Sequence, residues 1–432
     1  MQCRGQAFDG AANMSGLNNG VQALVKRENS KALYVHCLAH SLNLCLKDVT
    51  NSCILIRNVM DFIFNLVQLI RFSPKRLSLF DSIRKNVAVN TGENTPSLRM
   101  VCPTRWTVRH TSISSILQNY SVLLTALEEI QLGKDDYAAK ASGLLIQMRC
   151  FDIYFALKLA YLVFSSAEQL SINLQSVDLT VQEALNGSRL LRAHLQSLRN
   201  DQHFDRFYDS VCQDSSTLTD APYLPRPRRA PRRYDGGAHP HLFDSPKARY
   251  RHAYYEVLDL AIGEIERRFD HNDLNTVKKI EMLLVNAGNG VLTDSFDSEL
   301  QSYLMNDFDP DRLKTQLSFV NDMVANAGVT RVTNVRTISD TMSTSSIYKN
   351  MLSEVDKLLK LYYTFPVTTA TSERSFSSLR RLKTFLRTTM TECRLNNLFL
   401  LYVHKSVTLN LTCIAKDFVT VNSRRKKYFG KF

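Results

Sequence analysis

The 432-residue sequence has a single tryptophan and no run of about 18 apolar residues, so no segment reads as a membrane span. No Met-led basic and apolar signal segment opens it. Its nine cysteines are odd in number and follow no regular framework. That excludes a disulfide-stapled secreted scaffold and fits reduced thiols in cytosol or nucleus. Internal repeats are lacking, which excludes a solenoid. Strand-forming runs are scarce: 32–37 (Ala-Leu-Tyr-Val-His-Cys) is the best of them, short and β-prone. Acidic residues are outnumbered, 41 against 54 Lys and Arg, for a formal charge of +13 and a pI of about 9.3. A chain this basic either meets a polyanion, nucleic acid first, or carries a solvated basic surface.

What is present is mostly helix. With 44% hydrophobic residues the chain can build two or three domains with real cores. Helical patterns cover 13–26 (with a break at Asn18-Asn19-Gly20), 39–49, 54–72, 77–86, a stretch after Pro103 through about Leu127, and 137–198 with a cap at 178–180. Others cover 246–269, 277–287, 345–363, 371–385 and 394–406. Residues 90–96, 213–238 and 325–344 read as polar loops. The middle one holds Pro225-Arg-Pro-Arg-Arg-Ala-Pro-Arg-Arg-Tyr234, five Arg in ten residues, and its prolines exclude a helix. Pro366 ends the helix before it and biases Phe365 to an extended shape. Thr371 or Ser372 then caps a helix with Glu373 in its first turn, where the helix dipole favours a carboxylate. Phe376, Leu379, Leu382 and Phe385 make one apolar stripe along it. Thr389 and Glu392 have capping-box spacing for the next helix.

Three groups of residues could carry chemistry. Asp9, closing a short extended piece, and Glu373, on a distant helix, are the kind of carboxylates that a two-metal phosphoryl-transfer site holds around Mg²⁺ or Mn²⁺. Read from the residues alone, Glu373 is first of all an ordinary first-turn acid. Cys37-Leu-Ala-His40 is half of a zinc site with no second half at normal spacing, or a packed thiol beside a hydrogen-bonded imidazole. Arg105-Trp106 is either a core anchor or a pair that stacks on an unpaired base while the guanidinium takes a phosphate. Arg228, Arg229, Arg232, Arg233 and the tail Arg424-Arg-Lys-Lys427 are basic enough for phosphate contact or nuclear import, or are simply solvated.

In order along the chain stand Phe8-Asp-Gly-Ala-Ala-Asn-Met-Ser-Gly16, Val35-His-Cys-Leu-Ala-His-Ser-Leu-Asn-Leu44, Thr104-Arg-Trp106 and Ala370-Thr-Ser-Glu-Arg-Ser-Phe-Ser377. Together they resemble the hAT superfamily of DNA transposases. The Pro-Arg-Arg-Tyr-Asp loop and Phe243-Asp-Ser-Pro-Lys look like the subgroup related to zinc finger MYM-type protein 1.

The resemblance implies a mainly α chain: a ribonuclease-H-like α/β core split by a large all-helical insertion. It implies catalytic roles for Asp9 and Glu373, a Cys-x-x-His element at Cys37 and His40, and base-holding by Trp106 beside Arg105. It also implies C-terminal dimerisation through Phe376, Leu379, Leu382, Leu395, Leu398, Phe399 and Tyr402. Expected divisions are 1–72 (remnant of the core), 73–344 (insertion), 345–410 (end of the core and dimerisation region) and 411–432 (basic tail). The family's first catalytic Asp and first three strands would precede Met1. The chain therefore reads as a catalytically inactive, nuclear, self-associating protein with some affinity for DNA. Alternatively it is a fragment of an active transposase that uses Mg²⁺ or Mn²⁺ once an upstream Asp completes the site.

Overall fold

A computed structural model describes residues 3–92, 94–100, 109–176, 179–225, 243–269, 274–291, 296–384, 387 and 389–430. They form two compact units, Met1–Thr369 and Ala370–Phe432. Among the described residues the first unit holds the only two strands, β1 (Gly5–Phe8) and β2 (Leu33–His36). Between them lie α1 (Ala12–Ser15) and α2 (Val21–Glu28), with the break that Asn18-Asn19-Gly20 foreshadowed. The strands run parallel, Gly5 opposite Leu33 through Phe8 opposite His36. A parallel pair needs a crossover, and the two helices supply it. Buried Gln6 holds the crossover in place: its Nε2 donates to the carbonyls of Gln22 and Ala32, each at 3.1 Å.

The rest of the first unit is helical. α3 (Leu38–Ser52), α4 (Ile54–Arg71) and α5 (Pro74–Thr91) follow β2. Pro74 ends one helix and starts the next, because its missing N–H is harmless at a first helical position. Ser73 caps that start by accepting from the Arg76 N–H at 3.4 Å. Gly92, at φ 73°, ends α5 in the left-handed conformation that glycine adopts most easily.

α6 (Arg109–Gln118) and α7 (Tyr120–Gln131) replace the single helix expected through Leu127. Asn119 divides them: its side-chain amide donates to the carbonyls of Pro96 at 2.9 Å and Ser115 at 2.7 Å. Next come α8 (Asp136–Arg149), α9 (Phe151–Leu174), α10 (Val181–Leu198), α11 (Asp201–Ser215) and α12 (Pro246–Phe269). α10 opens on a full capping box between Thr180 and Glu183.

The helix α9 is buried on most of its circumference and packs against α3, α4, α6, α8, α10, α11 and α12, which makes it the axis of the unit. Phe151 and Phe155 on α9, Phe204 and Tyr208 on α11, and Tyr250 and Tyr254 on α12 form one buried aromatic cluster with tilted and edge-on contacts. Asp152 secures it from the rim by accepting from Arg249 at 2.8 Å and from the Tyr250 hydroxyl. Cys45 joins α3 to α12 through a 3.3 Å hydrogen bond to the Glu264 carbonyl; burial pushes its thiol up to about 12, so it is inert as a nucleophile.

The unit ends with α13 (Asn275–Gly288), α14 (Ser298–Leu304), α15 (Pro310–Ser318), α16 (Val320–Asn326), α17 (Val335–Ser343), α18 (Ser346–Met351) and α19 (Ser353–Thr364). α17 corrects the loop expected over 325–344. Val335, Ile338 and Met342 recur at helical spacing and are buried, and Asn334 caps the start. The polar residues between them hid that face.

The second unit contains α20 (Ala370–Leu382), α21 (Glu392–Val403), α22 (Leu411–Thr420) and α23 (Ser423–Phe429). α20 starts just before the expected Thr371 or Ser372 and keeps Glu373 in its first turn. The expected capping box does not form. Glu392 is the first helical residue, Thr391 is the cap, and its side chain makes no capping bond. Among the described residues no single helix is long and apolar enough to cross a membrane.

Candidate functional site

The carboxyl ends of β1 and β2 gather the candidate chemistry of the first unit. In parallel sheets this edge is where functional groups collect. The Cys37 N–H donates to Phe8 O at 3.0 Å, which holds the two strand ends together. Asp9 and Gly10 leave β1 there, while His36, Cys37 and His40 leave β2 and open α3. Phe8, Tyr34, His36 and His40 form a row of stacked rings with successive centroids 6.4, 6.5 and 5.9 Å apart. Gly10 lies against the two imidazoles: a Cβ there would sit 3.3 Å from His36 Nε2 and 3.4 Å from His40 Nε2.

The side chains of Cys37 and His40 turn to different segments. Cys37 is fully buried, and its sulfur accepts from the Thr369 N–H and hydroxyl, both at 3.2 Å. His40 faces the Asp9-Gly10 turn instead. The Cys-x-x-His spacing therefore ties the start of α3 to two different chain segments. A second bond reinforces the first tie, from the Leu38 N–H to Val367 O at 3.2 Å. Gly5 lets the same segment cross β1, since a Cβ there would lie 2.8 Å from Pro366 Cδ. The stretch 365–369 is thus pinned along both strands. That role was not read from the sequence; the extended bias that Pro366 imposes on Phe365 was its one signal.

Arg4 and Lys31, which precede the two strands, both pair with Asp307 (Lys31 Nζ at 2.9 Å). Burial opposes ionisation of Asp307, but the Lys31 hydrogen bond and the two positive charges hold its carboxyl below the usual range.

The Asp9 carboxylate is exposed, and Oδ1 accepts from the Ala11 N–H at 3.2 Å, capping the turn after β1. Among the described residues no group of three or more His, Cys, Asp or Glu side chains is arranged to hold a metal ion. The residues at this edge do not by themselves fit a two-metal centre. Glu373 is an exposed first-turn residue of α20 in the other unit. Arg105, Trp106, Arg228, Arg229, Arg232 and Arg233 lie outside the described residues.

In the second unit α20 and α21 pack together. Leu382 is buried, and Leu379, Leu395, Leu398, Phe399 and Tyr402 are half-buried. The Tyr402 hydroxyl receives a hydrogen bond from Arg381 at 3.2 Å, and Lys405 lies 4.0 Å over its ring. The Arg381 bond first, then the nearby charges, lower the Tyr402 pKa from its ordinary value. Of the seven expected dimerisation residues, Phe376 is the exposed one, at 70%. Also exposed are Leu400, Leu401 and Val403 on α21 and Val407 just after it, which periodicity alone does not separate from their neighbours.

Residues 347–407 match the hAT family C-terminal dimerisation region. The chain is also similar to the "52 kDa repressor of the inhibitor of the protein kinase" of Homo sapiens, 21% identical over 445 aligned residues that cover 98% of this chain and 56% of the human protein. The Mus musculus protein of the same name is 21% identical over 446 residues, with the same coverage. The chain spans about half the length of the curated relatives it matches.

Proposed function

We propose that this chain is a transposase-derived protein that self-associates through the C-terminal hAT dimerisation region, catalytically inactive as it stands and with affinity for DNA. The observation that carries this reading is the match over 347–407 falling on helices with outward apolar residues. The first part of the match is spoken for. On α19, Val355, Leu358, Leu359 and Tyr362 are buried in the first unit's core. The α20–α21 pair keeps Phe376, Leu400 and Leu401 exposed, and these are the side chains a second copy would cover.

Each large apolar side chain so covered contributes about 1.5–3 kcal/mol, and a two-fold interface counts it twice. Light scattering after size-exclusion chromatography is expected to give a dimer at micromolar concentration. Phe376→Glu with Leu401→Glu is expected to give a monomer with unchanged circular dichroism. A monomeric wild-type chain overturns the reading.

The finer parts follow the motif resemblance. Parallel β1 and β2, with Asp9 at their carboxyl end, support a ribonuclease-H-like core, and the 73–344 region supports a helical insertion. The loop near 225–235 and Phe243-Asp-Ser-Pro-Lys support placement beside zinc finger MYM-type protein 1. Basic charge supports DNA contact through Arg105, Trp106, Arg228, Arg229, Arg232 and Arg233, and a nuclear location. Inactivity follows the motif resemblance alone, in which Asp9 and Glu373 are two members of a three-carboxylate site.

A second reading, a fragment of an active DDE-type transposase, is favoured by the 56% coverage of the relatives. Divalent-metal-dependent nicking of DNA by the chain extended upstream to include the family's first catalytic Asp, abolished by Asp9→Ala or Glu373→Ala, would establish it.

A further inference from the structure

A cleft of about 500 Å³ opens between α4, α5 and α8, away from the strand edge, lined by Asn65, Gln68, Phe72, Arg76, Tyr137, Lys140 and Gln147 among others. Its lining chemistry is selective. Two cations share one aromatic ring: the Arg76 guanidinium carbon lies 4.1 Å and Lys140 Nζ 5.4 Å from the Tyr137 centroid. No carboxylate lines the cleft, and the first turn of α5 carries no acidic residue. Three carboxamides supply donors and acceptors. Phe72 is 67% exposed, so its ring is open to solvent, whereas the Tyr137 ring is engaged by the two cations. The floor includes Gly143 within α8, where a Cβ would meet no atom within 4 Å. The Arg76 position is fixed, because its Nε donates to Leu69 O at 2.6 Å.

Asp135 and Asp136 open α8 one turn before Lys140 but do not line the cleft. Cations facing a cleft want an anion, an exposed ring wants a flat apolar face, and carboxamides pair with the edges of heterocycles. The ligand that combines all three in a few hundred Å³ is a nucleoside phosphate. We infer that this cleft binds a nucleoside phosphate, with the base against Phe72 and the carboxamides and the phosphate between Arg76 and Lys140. The site needs neither self-association nor a catalytic carboxylate; with a free nucleotide it goes beyond the function proposed above, and with a strand it deepens the DNA affinity proposed there and rests on it. The nucleotide is either free or an unpaired residue of a strand.

The test uses the full chain at about 150 mM salt, where non-specific phosphate contacts are weakened. A single-stranded oligonucleotide with a central 2-aminopurine is titrated with protein, and AMP and poly-glutamate are added as competitors. Wild type is expected to quench 2-aminopurine by stacking. Gly143→Tyr fills the cleft without changing charge, and replacing glycine inside a helix favours the helix. Lys140→Glu reverses one cation. Each is expected to weaken quenching about tenfold, with an unchanged thermal melt and an unchanged oligomeric state.

Competition by AMP assigns a free nucleotide, and quenching that AMP does not displace assigns a strand; both support the site. Wild-type quenching in both folded variants overturns it, as does displacement by poly-glutamate as effective as that by AMP.

Discussion

At the scale of single residues, the informative side chains are polar groups buried with partners. Glu281 on α13 is 4% exposed, yet it accepts from the Tyr362 hydroxyl at 2.7 Å and from the backbone of Gln182. Burial first of all raises its pKa, against the opposing effect of those hydrogen bonds. A raised folded pKa means that the group's contribution is fully present below the unfolded carboxyl value near 4.3 and is lost as pH climbs through the folded value. Glu281→Gln keeps an acceptor for Tyr362 and removes the ionisation. Thermal melts from pH 4 to 8 are expected to show the variant gaining on wild type as pH rises, by on the order of 1 kcal/mol at neutrality. A constant difference across that range would show that Glu281 does not titrate in this window.

Secondary-structure elements show how short strands are held in a helical chain. β1 and β2 are four residues each, too short to be stable as an isolated pair. They persist because the segment 365–369 is strapped along them by Leu38, Cys37 and the gap at Gly5. Gly5→Val puts a branched side chain where Pro366 Cδ would lie 2.8 Å from its Cβ. The variant is expected to lose about 1–3 kcal/mol, the usual cost of overpacking. Amide exchange at Leu38 and Thr369 should accelerate more than exchange in α9. Equal acceleration everywhere would mean that the strap is not a local unit.

For the molecule as a whole, charge is the dominant property. A net +13 predicts that DNA binding of any kind releases counterions. Affinity for a random duplex is expected to fall about tenfold or more between roughly 50 and 200 mM salt. Affinity independent of salt would remove electrostatics from the account. The two units divide the matched dimerisation region between them: α18 and α19 belong to the first, α20 and α21 to the second. On the proposed reading self-association and core stability fall to different helices, and the Phe376 and Leu401 substitutions should affect only the former.

Helix positions were legible in the sequence wherever an apolar repeat met a strong stop. Residues 246–269 were read correctly because Pro246 is a local start signal; the start at Ile54 was read from its apolar run, since Cys53 makes no side-chain cap. The strand at 32–37 was legible for the same reason. Helix α17 was not, since its three buried apolar residues sit among Thr, Ser and Asp, and the face shows only in its packing against α13, α16 and α19. The motifs of the strand edge were also legible as residue types. Their roles were not: spacing alone cannot say that Cys37 faces Thr369 while His40 faces Gly10, because that depends on a segment more than 300 residues away. The cleft beside Tyr137 was invisible for the same physical reason, as its lining comes from three helices that only the fold brings together. The sequence by itself determined a basic, mainly helical chain with two short strands, because composition, periodicity and caps act over a few residues. The tertiary structure decided which polar side chains meet and which apolar ones are left outside, because those follow from long-range packing.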